Sequence, residues 1–187
     1  MKTTAFILTL FLAQPALAQP QVTVEKSADG LIRVVADDQV TAPVEVVFET
    51  LTDYDHLARF IPDMHSSRIV SAAGEPLRVV QEGETGFLTY RFPLNVTFEI
   101  AFEPLFRVNF RSIAGNMREM EGFYQLKTMG ETTYLHYEAR FLPDFWVPPI
   151  IGPAIMQNEI THQFEGLAAE IGRRGKAYNQ PGTPTVK

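Results

Sequence analysis

Between Ser66 and Leu142, apolar side chains recur at every second position, which is the period of a β-strand with one covered face. In the segment RFPLNVTFEIAF, the apolar side chains that share one face are Phe92, Leu94, Val96, Phe98, Ile100 and Phe102. Turn signals interrupt the pattern at Ala73-Gly74, Glu82 to Gly86, Glu103-Pro104, Gly115-Asn116 and Met129-Gly130. We therefore predict about six strands here, joined as an antiparallel meander with one wet and one covered face.

The last long segment, PPIIGPAIMQNEITHQFEGLAAEIGRR, has helical periodicity and supplies the cover. Its apolar stripe consists of Met156, Ile160, Phe164, Leu167 and Ile171. A helix of about 20 residues or more would measure about 30 Å and lie across the concave face of a curved sheet.

Upstream of the meander, the sequence predicts a strand or hairpin that turns at Asp29-Gly30, followed by two short helices. The first helix begins at Pro43, and the second is stopped by Pro62. The predicted fold is α+β: a curved antiparallel sheet of about six to seven strands around a long C-terminal helix, with two short helices after the first strand.

Residues 1–18, MKTTAFILTLFLAQPALA, have the basic start, apolar run and small-residue end of a secretory signal peptide. An uncleaved membrane anchor is the alternative, although the apolar run is shorter than the roughly 20 residues that a spanning helix needs. We predict a periplasmic protein with one domain over residues 22–175 and a disordered tail over residues 176–187, where proline and glycine recur.

Composition excludes several classes of site. The chain has no cysteine, which rules out disulfides, a thiol nucleophile and cysteine-bound metals. Its formal net charge of −6 argues against a nucleic-acid partner. The four histidines do not have metal-ligand spacing, and no phosphate loop or nucleophile elbow occurs. We predict no metal, no cofactor and no catalytic residue.

The string LTDYDHLARFIP places Asp53, Asp55 and His56 within four positions. A catalytic or metal site would need more ligands from elsewhere. Thr52 or Asp53 is instead suited to cap the second helix, with Asp55 in its first turn. We interpret the charged residues as a helix cap and a solvated turn.

The chain resembles the START-like or SRPBCC superfamily, and within it the polyketide cyclase and coenzyme Q-binding family. Three strings carry the resemblance: VTAPVEVVFETLTDYDHLARFIPDMHSSRIV, GNMREMEGFYQL and the closing helical segment. The resemblance implies a helix-grip fold with a hydrophobic cavity between sheet and helix, which binds lipids, quinones, sterols or polyketides. Some members of the family do chemistry there.

Strand and helix periodicity then predicts which side chains face this interior. The predicted lining residues are Phe98, Ile100, Val108, Phe110, Met120, Tyr124, Leu135, Tyr137, Met156, Ile160 and Phe164, joined by Trp146 at the cavity mouth. Gly122 leaves room among them, and Tyr124 and Tyr137 supply hydroxyls that can orient a ligand. From the residues alone, a solid core is the alternative.

The segment FLPDFWVPPIIGP contains the single tryptophan and four prolines. It is either a lid or lip that touches a membrane transiently through Phe145, Trp146 and Val147, or a connection ordered by its prolines.

Three functions remain open. The leading one is a periplasmic, non-enzymatic binding or carrier protein for a lipid, quinone or isoprenoid. The alternatives are a polyketide cyclase or dehydrase that uses a cavity acid or tyrosine, with Glu99 and Glu121 expected to face solvent, and an interaction module for another envelope protein.

Overall fold

The computed structural model describes residues 19–87, 90–144 and 152–179, without the side chains of residues 86, 87, 90 and 143. The predicted signal peptide lies outside these ranges, as do Phe145, Trp146 and Val147. The elements are β1 (Gln21–Lys26), β2 (Ile32–Val40), α1 (Val44–Thr52), a 3₁₀ helix (Tyr54–Arg59), β3 (Met64–Ile69), β4 (Leu77–Phe87), β5 (Tyr90–Glu103), β6 (Arg107–Gly115), β7 (Met117–Met129), β8 (Thr132–Pro143) and α2 (Gly152–Tyr178).

All described strands form one antiparallel sheet in the order β1-β2-β8-β7-β6-β5-β4-β3. The sheet is curved and open, with β1 and β3 at its edges. The meander contributes six strands, β3 to β8, as predicted. The described chain has eight strands rather than six to seven because residues 21–40 form a full hairpin. The two short helices therefore follow the second strand, not the first.

The period-two pattern sets which face of each strand is covered. In β8, the buried side chains are Thr133, Leu135, Tyr137, Ala139 and Phe141, and none of the residues between them is buried. In β5, Val96, Phe98 and Ile100 are buried in the same way. Phe102 at the end of β5 is 45% exposed, and its ring packs against Phe48 of α1 at 5.7 Å.

Helix α2 packs against β1, β2, β4 and α1. Its buried stripe is Phe164, Leu167, Ile171 and Gly175, while Met156 and Ile160 are half-buried. The helix has 27 residues and ends at Tyr178, so residues 176–178 are helical rather than part of a disordered tail. Within the described residues, no helix is both long and apolar enough to cross a membrane.

The predicted turn from Glu82 to Gly86 is wrong, because these residues continue β4 and pair with β5. Gly83 does not form a turn but allows the backbone at Asp63 to approach β4 closely. A Cβ atom at position 83 would lie 2.5 Å from the Asp63 carbonyl oxygen, and the Glu84 N–H donates to that oxygen at 3.0 Å. The glycine lets the chain before β3 lie directly on β4.

The predicted cap by Thr52 or Asp53 is also wrong, since no described side chain caps the 3₁₀ helix, whereas Asp55 does lie in its first turn as predicted. Asp53 Oδ1 lies 2.7 Å from His56 Nδ1, and Arg174 of α2 donates to Asp53 Oδ2 at 2.8 Å. Asp55 accepts a hydrogen bond from the Ile69 N–H at 2.9 Å. The two aspartates therefore tie the 3₁₀ helix to α2 and to β3.

Replacing Arg174 with methionine is expected to lower the free energy of unfolding by about 1–2 kcal/mol. Partial burial would raise the pKa of Asp53, but hydrogen bonds from Arg174 and His56, with their charges, outweigh it and lower that pKa. Without Arg174, the half-buried Asp53 and Glu170 both lose a cation. Arg173→Met is the matched control, because among the described residues exposed Arg173 pairs only with Glu170. Equal effects in urea unfolding would refute this role for Arg174.

Asp38 lies on the inner face of β2, where it is 5% exposed. Its Oδ1 accepts a hydrogen bond from the Gln39 N–H at 2.7 Å. Burial raises the pKa of Asp38 to about 6, against the opposing effect of that hydrogen bond. Ionised Asp38 therefore costs folding free energy.

Asp38→Asn is expected to stabilise the protein by about 2–3 kcal/mol at pH 8, because the asparagine stays neutral. The folded-state pKa is above the unfolded value of 3.8, so wild-type stability falls as pH rises between 3.8 and about 6. The advantage of Asp38→Asn should be complete above that window and absent below pH 4. Urea unfolding at pH 4, 6 and 8 measures it, with exposed Glu131→Gln as control. An advantage that does not depend on pH would contradict this account.

Candidate functional site

A cavity of about 150 Å³ lies between the inner face of the sheet, α2 and the 3₁₀ helix. From the strands it is lined by Met64, Gln81, Phe98, Ile100, Val108, Phe110, Met120, Tyr124 and Tyr137. From α1, the 3₁₀ helix, the segment after it and α2 it is lined by Leu51, Tyr54, Leu57, Ile61, Ile160, Gln163, Phe164 and Leu167. The core is therefore not filled at this position.

Nine of the predicted lining residues do line this cavity: Phe98, Ile100, Val108, Phe110, Met120, Tyr124, Tyr137, Ile160 and Phe164. Leu135 does not, because it lies two positions along β8 from Tyr137, where packing leaves it 1% exposed. Met156, one turn before Ile160, packs on the core outside the cavity. Trp146 lies outside the described residues. Contact with a ligand stays a prediction for all twelve.

The prediction missed the wall formed by α1, the 3₁₀ helix and the segment after it. Leu51, Tyr54, Leu57 and Ile61 recur at three- to four-residue spacing in LTDYDHLARFIP, and all four line the cavity. The string that first suggested chemistry through its charges therefore contributes through its apolar residues.

Aromatic rings form one side of the cavity. The Phe110 ring packs edge-on against the Phe98 ring, with 5.6 Å between the ring centroids, and stacks on the Tyr137 ring, with 6.0 Å between the centroids. The ring centroids of Tyr124 and Tyr137 lie 4.8 Å apart. At Gly122, a Cβ atom would lie 2.7 Å from the Phe110 ring, so the glycine does leave room, but Phe110 occupies that room. The cluster forms an aromatic wall of the cavity.

The polar groups in the lining are all neutral. They are the hydroxyls of Tyr54, Tyr124 and Tyr137 and the amides of Gln81 and Gln163. Burial raises the pKa of each of these tyrosines well above its ordinary value, so they stay protonated. Among the described lining residues, none is a carboxylate, a histidine or a cation.

A second compartment of about 130 Å³ adjoins the cavity. The residues that line both spaces are Met64, Gln81, Phe98, Met120 and Gln163. Met64 and Met120 are flexible side chains that border both spaces, and the lining of the second compartment also includes Asp63, Glu82 and Glu84.

These observations fit the comparisons with known proteins. The model of a family described as polyketide cyclase / dehydrase and lipid transport matches residues 40–165, more than half of the chain. The chain belongs to this family. No curated protein matches it in sequence. Family and fold together support a hydrophobic-ligand-binding or polyketide cyclase-like protein.

Several solved structures resemble this chain in fold, although their sequences are only distantly similar to it. The ZhuI aromatase/cyclase from Streptomyces sp. R1128 aligns with a TM-score of 0.67 at 16% identity, over 80% of this chain and 98% of that one. A STAR-related lipid transfer protein fragment from Xanthomonas axonopodis aligns with a TM-score of 0.60 at 12% identity, over 80% of this chain and 98% of that one. A START superfamily protein from Mycobacterium smegmatis aligns with a TM-score of 0.61 at 14% identity, over 79% of this chain and 99% of that one. These likenesses confirm the helix-grip, START-like fold.

The carboxylates considered for catalysis lie on the opposite face of the sheet. Glu99 accepts a hydrogen bond from Arg111 at 3.1 Å, and Glu121 accepts one from Arg140 at 2.6 Å. Their outward orientation agrees with the prediction. In residues 19–87, 90–144 and 152–179, no group of three or more side chains is arranged to hold a metal ion.

A larger groove of about 840 Å³ crosses this outer face. It is open, and its charged lining residues are Arg33, Glu99, Arg111, Glu121, Glu138 and Arg140. These residues pair with one another across the strands. We regard the smaller inner cavity as the candidate site, because its buried apolar lining can desolvate a ligand and the outer charges are already satisfied.

Proposed function

We propose that this protein is a non-enzymatic binding or carrier protein for a hydrophobic small molecule, of the lipid, quinone or isoprenoid type. The observation that carries the proposal is the apolar, uncharged cavity between the sheet and α2. Removing an apolar molecule from water into such a space is favourable in proportion to the area buried.

The size of the cavity limits what it holds in the described conformation. A space of about 150 Å³ accommodates roughly one six-membered ring. A longer molecule would also need the second compartment, which the flexible side chains of Met64 and Met120 border. We therefore expect binding to shift these methionines.

The cyclase or dehydrase alternative takes its support from the family and from the fold of the Streptomyces aromatase/cyclase. Proton transfer at neutral pH favours groups whose pKa lies near 7. The described lining offers tyrosines whose pKa is raised instead, so the cavity favours binding over acid-base chemistry. A polyketide-like substrate that this protein turned over, with loss of turnover in Tyr124→Phe, would establish the alternative.

We further propose that the protein acts in the periplasm, on the support of the signal-peptide pattern in residues 1–18. Residues 145–147 are the proposed membrane contact during loading, and interaction with an envelope protein is the remaining alternative. N-terminal sequencing of protein from a periplasmic fraction should find a mature start near Gln19. A start at Met1 in a membrane fraction would contradict this location.

The ligand itself is tested by native mass spectrometry and solvent extraction of protein purified from its own host. A neutral apolar molecule bound in stoichiometric amount is the expected result. If nothing is recovered and no apolar probe binds to the purified protein, the proposed function fails.

A further inference from the structure

Tyr54, in the 3₁₀ helix, carries a buried polar atom without a partner. The residue is 6% exposed and lines the cavity. Within the part of the chain that the structure describes, its hydroxyl oxygen is buried and makes no hydrogen bond. Because buried hydroxyls are nearly always paired in native proteins, an unpaired one on a residue that lines a cavity points to a missing partner.

The other polar groups nearby fit a neutral partner. Tyr54 and Tyr124 line the same cavity, and the charge that Tyr124 would carry raises the pKa of Tyr54 further, after the larger effect of burial. Gln81 and Gln163 supply amides, and no described lining residue supplies a cation. A carboxylate or phosphate inside this space would remain desolvated and without a counter-ion, which is strongly unfavourable.

The hydroxyl of Tyr54 is a donor whose best complement is an uncharged oxygen acceptor. A carbonyl meets this requirement without bringing a second donor that would itself need a partner. The apolar remainder of the ligand would lie against the aromatic wall of Phe98, Phe110 and Tyr137. Space for about one ring limits the part of the ligand that enters here.

We propose that the cavity binds the carbonyl-bearing ring of a neutral ligand, whose oxygen accepts a hydrogen bond from Tyr54. This inference rests on the proposed function and adds the chemical class of the ligand and the residue that recognises it.

Three probes of similar size test the inference: acetophenone, its hydrocarbon analogue cumene, and benzoate. Their affinities are measured by NMR titration of the full-length mature protein. Tyr54→Phe should weaken acetophenone binding about five- to tenfold and leave cumene binding within about twofold. Tyr178→Phe, an exposed tyrosine at the end of α2, should change neither. Benzoate should not bind.

The outcomes separate the two proposals. Equal acetophenone affinity in Tyr54→Phe and wild type, with cumene still bound, overturns the carbonyl inference and leaves the proposed function intact. Failure of both neutral probes to bind overturns both. The thermal midpoint gives a second readout: it should not fall in Tyr54→Phe, since the hydroxyl is unpaired, and a clear fall would show that it has a partner in the free protein.

Discussion

Gly166→Ala is expected to lower the free energy of unfolding by about 2–3 kcal/mol. A Cβ atom at position 166 would lie 2.3 Å from the Phe60 carbonyl oxygen and 2.8 Å from Pro62 Cδ. The first neighbour is backbone and cannot rotate away, so α2 would have to move off the segment that follows the 3₁₀ helix. That movement also separates Ile61 from Phe164 across the cavity.

Gly172→Ala is the matched control for this change. Gly172 lies in the same helix, and a Cβ atom there meets nothing within 4 Å. Alanine has the higher helix propensity, so this variant should gain up to about 1 kcal/mol. Urea unfolding measures both variants. If Gly166→Ala is as stable as Gly172→Ala, the close approach of α2 to Phe60 is not a constraint on the fold.

Ile160→Trp should reduce the affinity for an apolar probe such as cumene at least about tenfold, because the larger side chain fills the cavity. Ile160 is half-buried on α2, so the added ring can enter the space without displacing a fully buried residue. Displacement of a fluorescent hydrophobic probe measures the change.

Ile113→Trp makes the same substitution outside the cavity, at a β6 position that is 42% exposed. It should bind the probe as the wild type does. Unchanged affinity in Ile160→Trp, or an equal loss in both variants, would show that the probe binds elsewhere.

The sequence could predict the strand pattern because burial on one face imposes a period of two that survives without knowledge of the partner strands. The strands β5 and β8 were recognised in this way, and so was the outward orientation of Glu99 and Glu121. The error at Gly83 has the opposite cause. A glycine is needed at position 83 because the Asp63 backbone packs closely against it. This contact joins separate segments of the chain, and a local turn signal cannot reveal it.

The site was partly predictable for the same reason. Side chains that alternate on the sheet could be assigned to the interior, but local pattern could not tell that Leu135 is packed solid while Tyr137 borders a cavity. The cavity itself came from the family resemblance. The local pattern favours Asp53 as a helix cap, because its ion-pair partner, Arg174, lies 121 residues away in sequence.

The central claim is that a neutral apolar molecule enters the space between the sheet and α2. Methyl NMR during titration with cumene tests it most directly. We expect large shifts for the methyls of Leu51, Ile100, Val108 and Ile160, which line the cavity, and none for exposed Ile69, Val70 and Ile113. Shifts confined to the exposed methyls, or no shifts at saturation, would contradict the claim.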